Sequence, residues 1–263
     1  MGGAMIDRDS LASLLGRARA VLFDFDGPMC ALFGRLPRDP SGAPPTKSIA
    51  EKIKKVAQDH WGFLAPRVEH CDDSHDILRL LRGMWEADPN GLSPMPLKAA
   101  EDIVARAEDE AARSAAPAQD IAALVDVLSE LGLYLAIVSN NAEDPIRVFL
   151  DRPGILLGQK FDGVFGRDPE DARLMKPSPH CVLRAIEKLS LDASECLLVG
   201  DKLSDLEAAR SAGTRFLGYT HKPFRAEQMR EEGADVVVSS HQPVIMAARE
   251  ILAARQEPPQ IFQ

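Results

Sequence analysis

VLFDFDGP, Val21 to Pro28, is an apolar run that delivers two aspartates and then breaks at Gly27 and Pro28. A short run that is apolar on both faces suits a buried strand of a parallel sheet covered by helices on each side. Asp24 and Asp26 are two residues apart, so they share one face if the strand continues through them. A turn started by Gly27 then leaves both at the carboxyl edge of the sheet. Asp-Gly after a strand is also an ordinary turn signal, so this stretch alone leaves both readings open.

Four further runs read the same way: Leu133 to Val138, Cys196 to Val199, Phe216 to Tyr219 and Val236 to Val238. Helical patterns lie between them. Asp120 to Leu131 carries Ile121, Leu124, Val125 and Leu128 along one face and is ended by Gly132. The spacing predicts helices over Pro179 to Leu189, with Ser178 as N-cap and Pro179 at the first helical position, and over Ser204 to Ala212 before Gly213. Strand alternating with helix predicts a doubly wound, Rossmann-like α/β core with a parallel sheet, in which ligands gather beyond the carboxyl ends of the strands.

The interval from about Cys30 to Pro117 separates the first strand from the second by far more than a βα connection needs. This stretch contains no convincing strand. Lys47 to His60, Asp73 to Trp85 and Leu97 to Ala115 each show helical character, and Gly34 to Thr46 is rich in Pro and Gly and reads as a loop or hinge. The expected organisation is a core of residues 1–29 and 118–263 with an inserted α-helical cap domain at 30–117. The final EPPQIFQ reads as a frayed tail.

Composition narrows the function. At 263 residues, 45 % hydrophobic and 27 % charged, the chain has room for one enzyme-sized core and a cover. A net charge of −9 opposes nucleic-acid binding, which relies on clustered Lys and Arg. No apolar run approaches the roughly 20 residues that span a bilayer, so no membrane partner is expected. MGGAMIDRDSLASLLGRARA lacks the basic and apolar regions of a secretory leader, and the expected location is the cytoplasm. Cys30, Cys71, Cys181 and Cys196 form no CxxC pair, which argues for reduced packing residues rather than zinc or disulfides.

The chemistry-bearing residues fall at strand ends. Two carboxylates in one cleft repel, so one protonates readily unless a cation intervenes. That division suits phosphoryl transfer, with an ionised Asp24 attacking phosphorus and Asp26 protonating the leaving oxygen and later activating water. VSNN places Ser139 and Asn140 at the same edge, where a hydroxyl and an amide can hold phosphate oxygens, although Asn-Asn before a helix is also a cap. Lys176, just ahead of a helix start, opposes the helix dipole unless an anion pairs with it, and on its own it reads equally as a surface lysine. In CLLVGDKLSD, Asp201 and Asp205 are four apart and align on one helical face. Hard oxygen ligands at a phosphate site point to Mg²⁺, while Asp205 can also serve as a helix cap.

In this order, DxDG, SN, KP before a helix and GDxxxD, the residues resemble the haloacid dehalogenase-like hydrolase superfamily, phosphatase type, similar to phosphoglycolate phosphatases with an inserted helical cap. The resemblance covers the core, from about Ala20 to Phe25 and from Asp120 to roughly Ser239. It implies Asp24 as nucleophile, Asp26 as general acid/base, and Ser139 and Lys176 as phosphate holders with Asn140 beside them. It further implies that Mg²⁺ is held by Asp24, Asp26 through its main-chain carbonyl, Asp201 and Asp205. Pro28 stands where Thr or Val is more usual, and Lys202 where Ser or Thr often stands. The resemblance implies Mg-dependent hydrolysis of a small phosphorylated metabolite.

Two rival readings share these residues: an intramolecular phosphomutase of a sugar phosphate, and a non-catalytic protein that binds a phosphorylated ligand. Phosphonate cleavage needs a desolvated cap lysine, for which Lys47, Lys52, Lys54, Lys55 and Lys98 are the candidates. Arg35, Arg38, His70 and His75 lie where they can meet an anionic substrate or simply face solvent, and Trp61 and Trp85 read as core of the insertion.

Overall fold

The structure, a computed structural model, describes residues 8–34 and 45–256. Its strands are β1 (Ala20–Phe23), β2 (Cys30–Ala31), β3 (Ala116–Pro117), β4 (Tyr134–Val138), β5 (Gly163–Phe165), β6 (Cys196–Gly200), β7 (Arg215–Tyr219) and β8 (Val236–Val238). Its helices are α1 (Arg8–Gly16), α2 (Pro45–Trp61), α3 (Pro66–Glu69), α4 (Ser74–Ala87), α5 (Met95–Ala112), α6 (Ile121–Glu130), α7 (Glu143–Asp151), α8 (His180–Leu189), α9 (Leu203–Ala212), α10 (Pro223–Glu231) and α11 (Gln242–Gln256).

Among the described residues, six strands form a parallel sheet in the order β5-β4-β1-β6-β7-β8. The period of two along a strand divides the core. On β1, Val21 and Phe23 face a layer built from α1, α6, α7 and α11, while Ala20 and Leu22 face α8, α9 and α10. Burial on both faces is why these runs carry no polar alternation. The sheet is thus the doubly wound α/β core that the sequence predicts.

The chain leaves β1 for β4 on one side and later adds β6 on the other, so the strand order reverses at β1. Loops diverge at such a point and leave a crevice beyond the carboxyl ends of β1, β4 and β6. Asp24, Ser139 and Asp201 each directly follow one of these strands.

The segment between β1 and β4 is helical, as expected. α2, α4 and α5 pack on one another around a separate apolar cluster that includes Ile49, Ile53, Ile77, Leu81, Ala100 and Val104, and the core loop inserts Met175 into it. Trp61 joins this cluster with its Nε1 donating to the Ser93 carbonyl at 2.9 Å, and Trp85 packs against it. The stretch is not free of strand, however. β2 and β3 pair antiparallel and bring its two ends together, each with only two residues and so without any readable alternation.

Other boundaries moved. β1 ends at Phe23 rather than Phe25, and β5 was missed because only Val164 and Phe165 mark it as apolar. α8 begins at His180, with Pro179 at the cap position, one residue later than predicted. Asp73 caps α4 rather than opening it, its carboxylate accepting the Asp76 N–H at 3.0 Å. Most of Gly34 to Thr46, including Arg35 and Arg38, and the EPPQIFQ end lie outside the described residues. All four cysteines are free, and burial raises the Cys181 thiol to about 11. No helix among the described residues is long and apolar enough to cross a membrane.

Candidate active site

Asp24 is the first residue beyond β1, and its N–H still bonds the Val199 carbonyl of β6 at 2.8 Å, so the strand's direction is carried one residue past its end. The chain then turns. Gly27 donates to the Cys30 carbonyl at 2.8 Å, and Met29 and Cys30 both donate to the Phe25 carbonyl. Gly27 adopts φ +127°, and a Cβ there would lie 2.6 Å from Asp201 Cγ. Both the dihedral and the close approach require glycine. Pro28 has no N–H to place, but its carbonyl accepts from His241 Nε2 at 2.8 Å, and the buried His241 ring stacks on Tyr219 at 4.5 Å. His241 therefore anchors the turn after Asp24 from a loop more than two hundred residues away in sequence.

Lys176 is the hub of the site. It is 1 % exposed, and its ammonium lies 2.7 Å from Asp24 Oδ1 and 2.6 Å from Asp205 Oδ1, with a third bond to the Val138 carbonyl at 3.0 Å. Burial works against its charge, yet Asp205 and Asp24 outweigh that and hold its pKa above the ordinary range. Burial raises the Asp24 carboxyl, Lys176 draws it back, and Asp205 pushes it up again.

Asp205 sits in the first turn of α9 and serves two ends. Its Oδ2 accepts the N–H of Lys202 at 2.9 Å and of Asp201 at 3.1 Å, closing the helix start, while its Oδ1 faces Lys176. The cap read in the sequence is thus present on one oxygen, and the other oxygen is left to pair with Lys176. Gly200 makes this compact, since a Cβ there would fall 2.4 Å from Asp205 Cβ.

One oxygen from each of Asp24, Asp201 and Asp205 lies within 4.8 Å of the others. Asp201 Oδ1 is buried without a hydrogen-bond partner, and burial, then Asp24 and Asp205, push its carboxyl up to about 7. Of these three carboxylates only Asp24 and Asp205 pair with the Lys176 ammonium, and the orphaned buried oxygen of Asp201 has lost its water without a replacement. An all-oxygen, anionic set of this kind fits a hard divalent cation. The Asp26 side chain is not part of the cluster; its Oδ1 accepts the Leu32 N–H at 2.9 Å, which ties it to the start of the helical insertion. Lys202 keeps surface exposed to solvent, yet Asp24, Asp201 and Asp26 outweigh its partial desolvation and raise its ammonium pKa.

Because Gly27 abuts Asp201, Gly27→Ala is expected to displace that carboxylate and lower divalent-metal affinity by about tenfold or more. Calorimetric titration with Mg²⁺ or Mn²⁺ checks this. Unchanged affinity would mean that Asp201 swings aside without consequence.

Ser139 and Asn140 follow β4 as expected, but their side chains are engaged within the protein. Ser139 Oγ donates to Asn141 Oδ1 at 3.1 Å and accepts the Asn141 N–H at 3.2 Å. The Asn140 amide grips the main chain of Lys176 at both ends, accepting its N–H at 2.7 Å and donating to its carbonyl at 3.1 Å. Asn140 thereby seats the lysine. Sequence reasoning missed Asn141, Glu108 and Arg167, which form a buried polar cluster behind this turn. His75 belongs to that cluster, with Nε2 2.9 Å from Glu108 Oε1, while the exposed His70 bonds only the Pro66 carbonyl of its own turn. Lys47, Lys52, Lys55 and Lys98 are exposed, not desolvated as a Schiff-base amine needs to be, and the Lys54 ammonium is engaged by the Glu69 carbonyl at 2.8 Å and Asp72 at 3.4 Å.

Comparison with known proteins bears on the family and the fold. Residues 18–213 match the family model described as haloacid dehalogenase-like hydrolase. The chain is 30 % identical to a phosphoglycolate phosphatase of Pectobacterium atrosepticum over 131 residues, 50 % of this chain and 54 % of that one. It is 36 % identical to the pyrophosphatase PpaX of Bacillus velezensis over 94 residues, 36 % of this chain and 42 % of the relative. The match thus spans about half the length of these curated relatives. A solved structure described as a predicted phosphatase from Clostridium acetobutylicum superposes with a TM-score of 0.59 at 17 % identity, over 90 % of this chain and 99 % of that one, which is a likeness of fold. With the family model matched from before β1 to the end of α9, the chain belongs to the haloacid dehalogenase-like hydrolase family.

Proposed function

We propose that the protein is a magnesium-dependent phosphatase that hydrolyses a small phosphate monoester through an aspartyl-phosphate on Asp24. The observation that carries the reading is the Lys176 ammonium held between Asp24 at 2.7 Å and Asp205 at 2.6 Å, beside the unpartnered Oδ1 of Asp201. Such an arrangement sets a buried carboxylate against a fixed ammonium and presents positive charge where phosphoryl oxygens gather.

In the first half-reaction an Asp24 carboxylate oxygen forms a bond to phosphorus as the ester P–O bond breaks, and Asp26 delivers its proton to the leaving alkoxide. In the second, Asp26, now a carboxylate, takes a proton from water as that water's oxygen bonds to phosphorus. The Asp24 acyl-phosphate bond then breaks, returning both carboxyl groups and releasing inorganic phosphate. Lys176 stays close to Asp24 throughout and balances charge on the transferring group. Asp201, Asp205 and Asp24, with the main-chain carbonyl of Asp26, would hold Mg²⁺, which when bound offsets charge on the phosphoryl oxygens. Ser139 and Asn140 complete the phosphate end of the site.

In this reading residues 30–117 form a cap over a core of residues 1–29 and 118–263, and the cap chooses the substrate by what it presents to the leaving group. The relatives' names make phosphoglycolate the first candidate among small phosphorylated metabolites. The test is phosphate release from 2-phosphoglycolate, sugar phosphates, nucleotides and p-nitrophenyl phosphate, with Mg²⁺, with EDTA, and with Mg²⁺ restored. Turnover that EDTA abolishes and Mg²⁺ restores is expected. Folded protein that releases no phosphate across the panel overturns the proposal, and isomerisation of a sugar phosphate without release would make it a mutase.

A further inference from the structure

The helical insertion meets the core through a buried polar cluster that the phosphoryl chemistry does not use. Glu108, on α5, is 0 % exposed. Its carboxylate accepts hydrogen bonds from Arg167 Nη1 at 2.7 and 2.8 Å, Asn141 Nδ2 at 2.9 Å and the Ala142 N–H at 3.0 Å, and it lies 2.9 Å from His75 Nε2 of α4. Arg167, itself buried, also pairs with Glu101 of α5 at 2.7 Å and donates to the Asn140 carbonyl at 3.0 Å. Helix α5 of the insertion therefore grips the turn that follows β4, and His75 of α4 braces the same carboxylate.

The grip reaches the active site in two short steps. Asn141, held by Glu108, closes on the Ser139 hydroxyl. Asn140, whose carbonyl Arg167 holds, fixes the main chain of Lys176 through its amide. Arg79 of α4 donates directly to the Lys176 carbonyl. Ser139, Asn140 and Lys176 are thus tied to α4 and α5 through contacts that do not include Asp24.

Stability does not call for this cluster, because well-packed apolar residues in place of a buried ion pair are commonly as stable or more so. Charge-assisted bonds instead impose direction, since Asn141 Nδ2 and the Ala142 N–H each take a different oxygen of the Glu108 carboxylate and Arg167 spans both. We infer that Glu108 is a positioning residue: by clamping the turn after β4 it sets the main-chain seat from which Lys176 reaches Asp24. Docking of α4 and α5 on the core thereby shapes the phosphate end of the site. The kinetic part of the test rests on the phosphatase reading; the exchange part does not.

The test is Glu108→Gln in the full chain, which keeps shape and removes the charge. Amide hydrogen exchange is expected to quicken in the peptide covering the Lys176 N–H, two links away, while β6 and α9 keep native protection. With p-nitrophenyl phosphate, kcat per folded molecule is expected to fall about tenfold, with a smaller change in KM. In an Asn140→Ala background, which already unseats Lys176, Glu108→Gln is expected to add little further loss. A variant that melts earlier but keeps native kcat, KM and Lys176 exchange overturns the inference, as does full additivity with Asn140→Ala. Should Glu108→Gln not fold, Asn141→Ala and His75→Gln each cut one link and decide by the same two measurements. If the native protein itself releases no phosphate, the phosphatase reading has failed and exchange at Lys176 still decides this one.

Discussion

Asp24→Asn is expected to lower Mg-dependent phosphate release by on the order of 10⁴-fold while leaving the protein at least as resistant to heat as the native chain. The two halves have separate causes. An amide keeps the shape of the carboxylate but cannot bond phosphorus as a nucleophile, so no aspartyl-phosphate forms and only the weak catalysis of binding and charge remains. Stability follows the direction of the Asp24 pKa. An acid whose folded pKa lies above its unfolded value is stabilising only when protonated, and at neutral pH its charge subtracts from stability. Replacing it with a neutral isostere removes that penalty. Lys176 is not left bare, because Asp205 at 2.6 Å and the Val138 carbonyl at 3.0 Å remain. Phosphate release and a thermal melt of the same preparation check both halves. Activity within tenfold of native would remove Asp24 from the nucleophile role, and a melting point several degrees lower would refute the charge argument.

The sequence carried the sheet and the carboxylates because both are local signals. Five of the six strands of the parallel sheet announce themselves as apolar runs, and Asp24, Ser139 and Asp201 stand directly after β1, β4 and β6, where strand order alone converges them. The cluster at Glu108 was not legible for the opposite reason. Glu108 lies in an Ala-rich helix where a charged residue reads as a solvated face, and its partners His75 and Arg167 are 33 and 59 residues away. Only the closure of β2 against β3 and the docking of α5 on α7 turn that face inward. Asn140 illustrates a subtler limit. Its position beside the site follows from β4, but whether its amide meets a phosphate or a neighbouring main chain depends on the loop carrying Lys176, 36 residues on. Gly27 reads as a turn residue and Gly200 as the end of a strand, and the carboxylates that leave them no room come from another loop and from the next helix.

Lys176→Met carries the largest expected loss of stability, about 3–5 kcal/mol, since removing one partner of a buried ion pair leaves the other charge without compensation. Here two carboxylates are stranded together, Asp24 and Asp205, with Asp201 close by. For a chain of this size that corresponds to a fall in melting temperature of roughly 10 °C. Phosphate release is expected to disappear with it, because the ammonium that balances the phosphoryl oxygens is gone. The two consequences separate under titration with Mg²⁺. A cation placed among the stranded carboxylates binds the folded state only and restores part of the lost stability, so Mg²⁺ is expected to raise the melting temperature of Lys176→Met more than that of the native protein. It does not restore turnover, because Lys176 also reaches between β4 and α9 to hold Asp24 in line, with its ammonium bonded to the Val138 carbonyl. Lys176→Arg is no rescue, since a planar guanidinium fork does not fit a fully enclosed site built for a compact ammonium. A Lys176→Met protein that melts within about two degrees of the native one, with no added response to Mg²⁺, would mean that the three carboxylates are already protonated or hydrated in the folded state. The charge balance on which the site has been built would then be wrong.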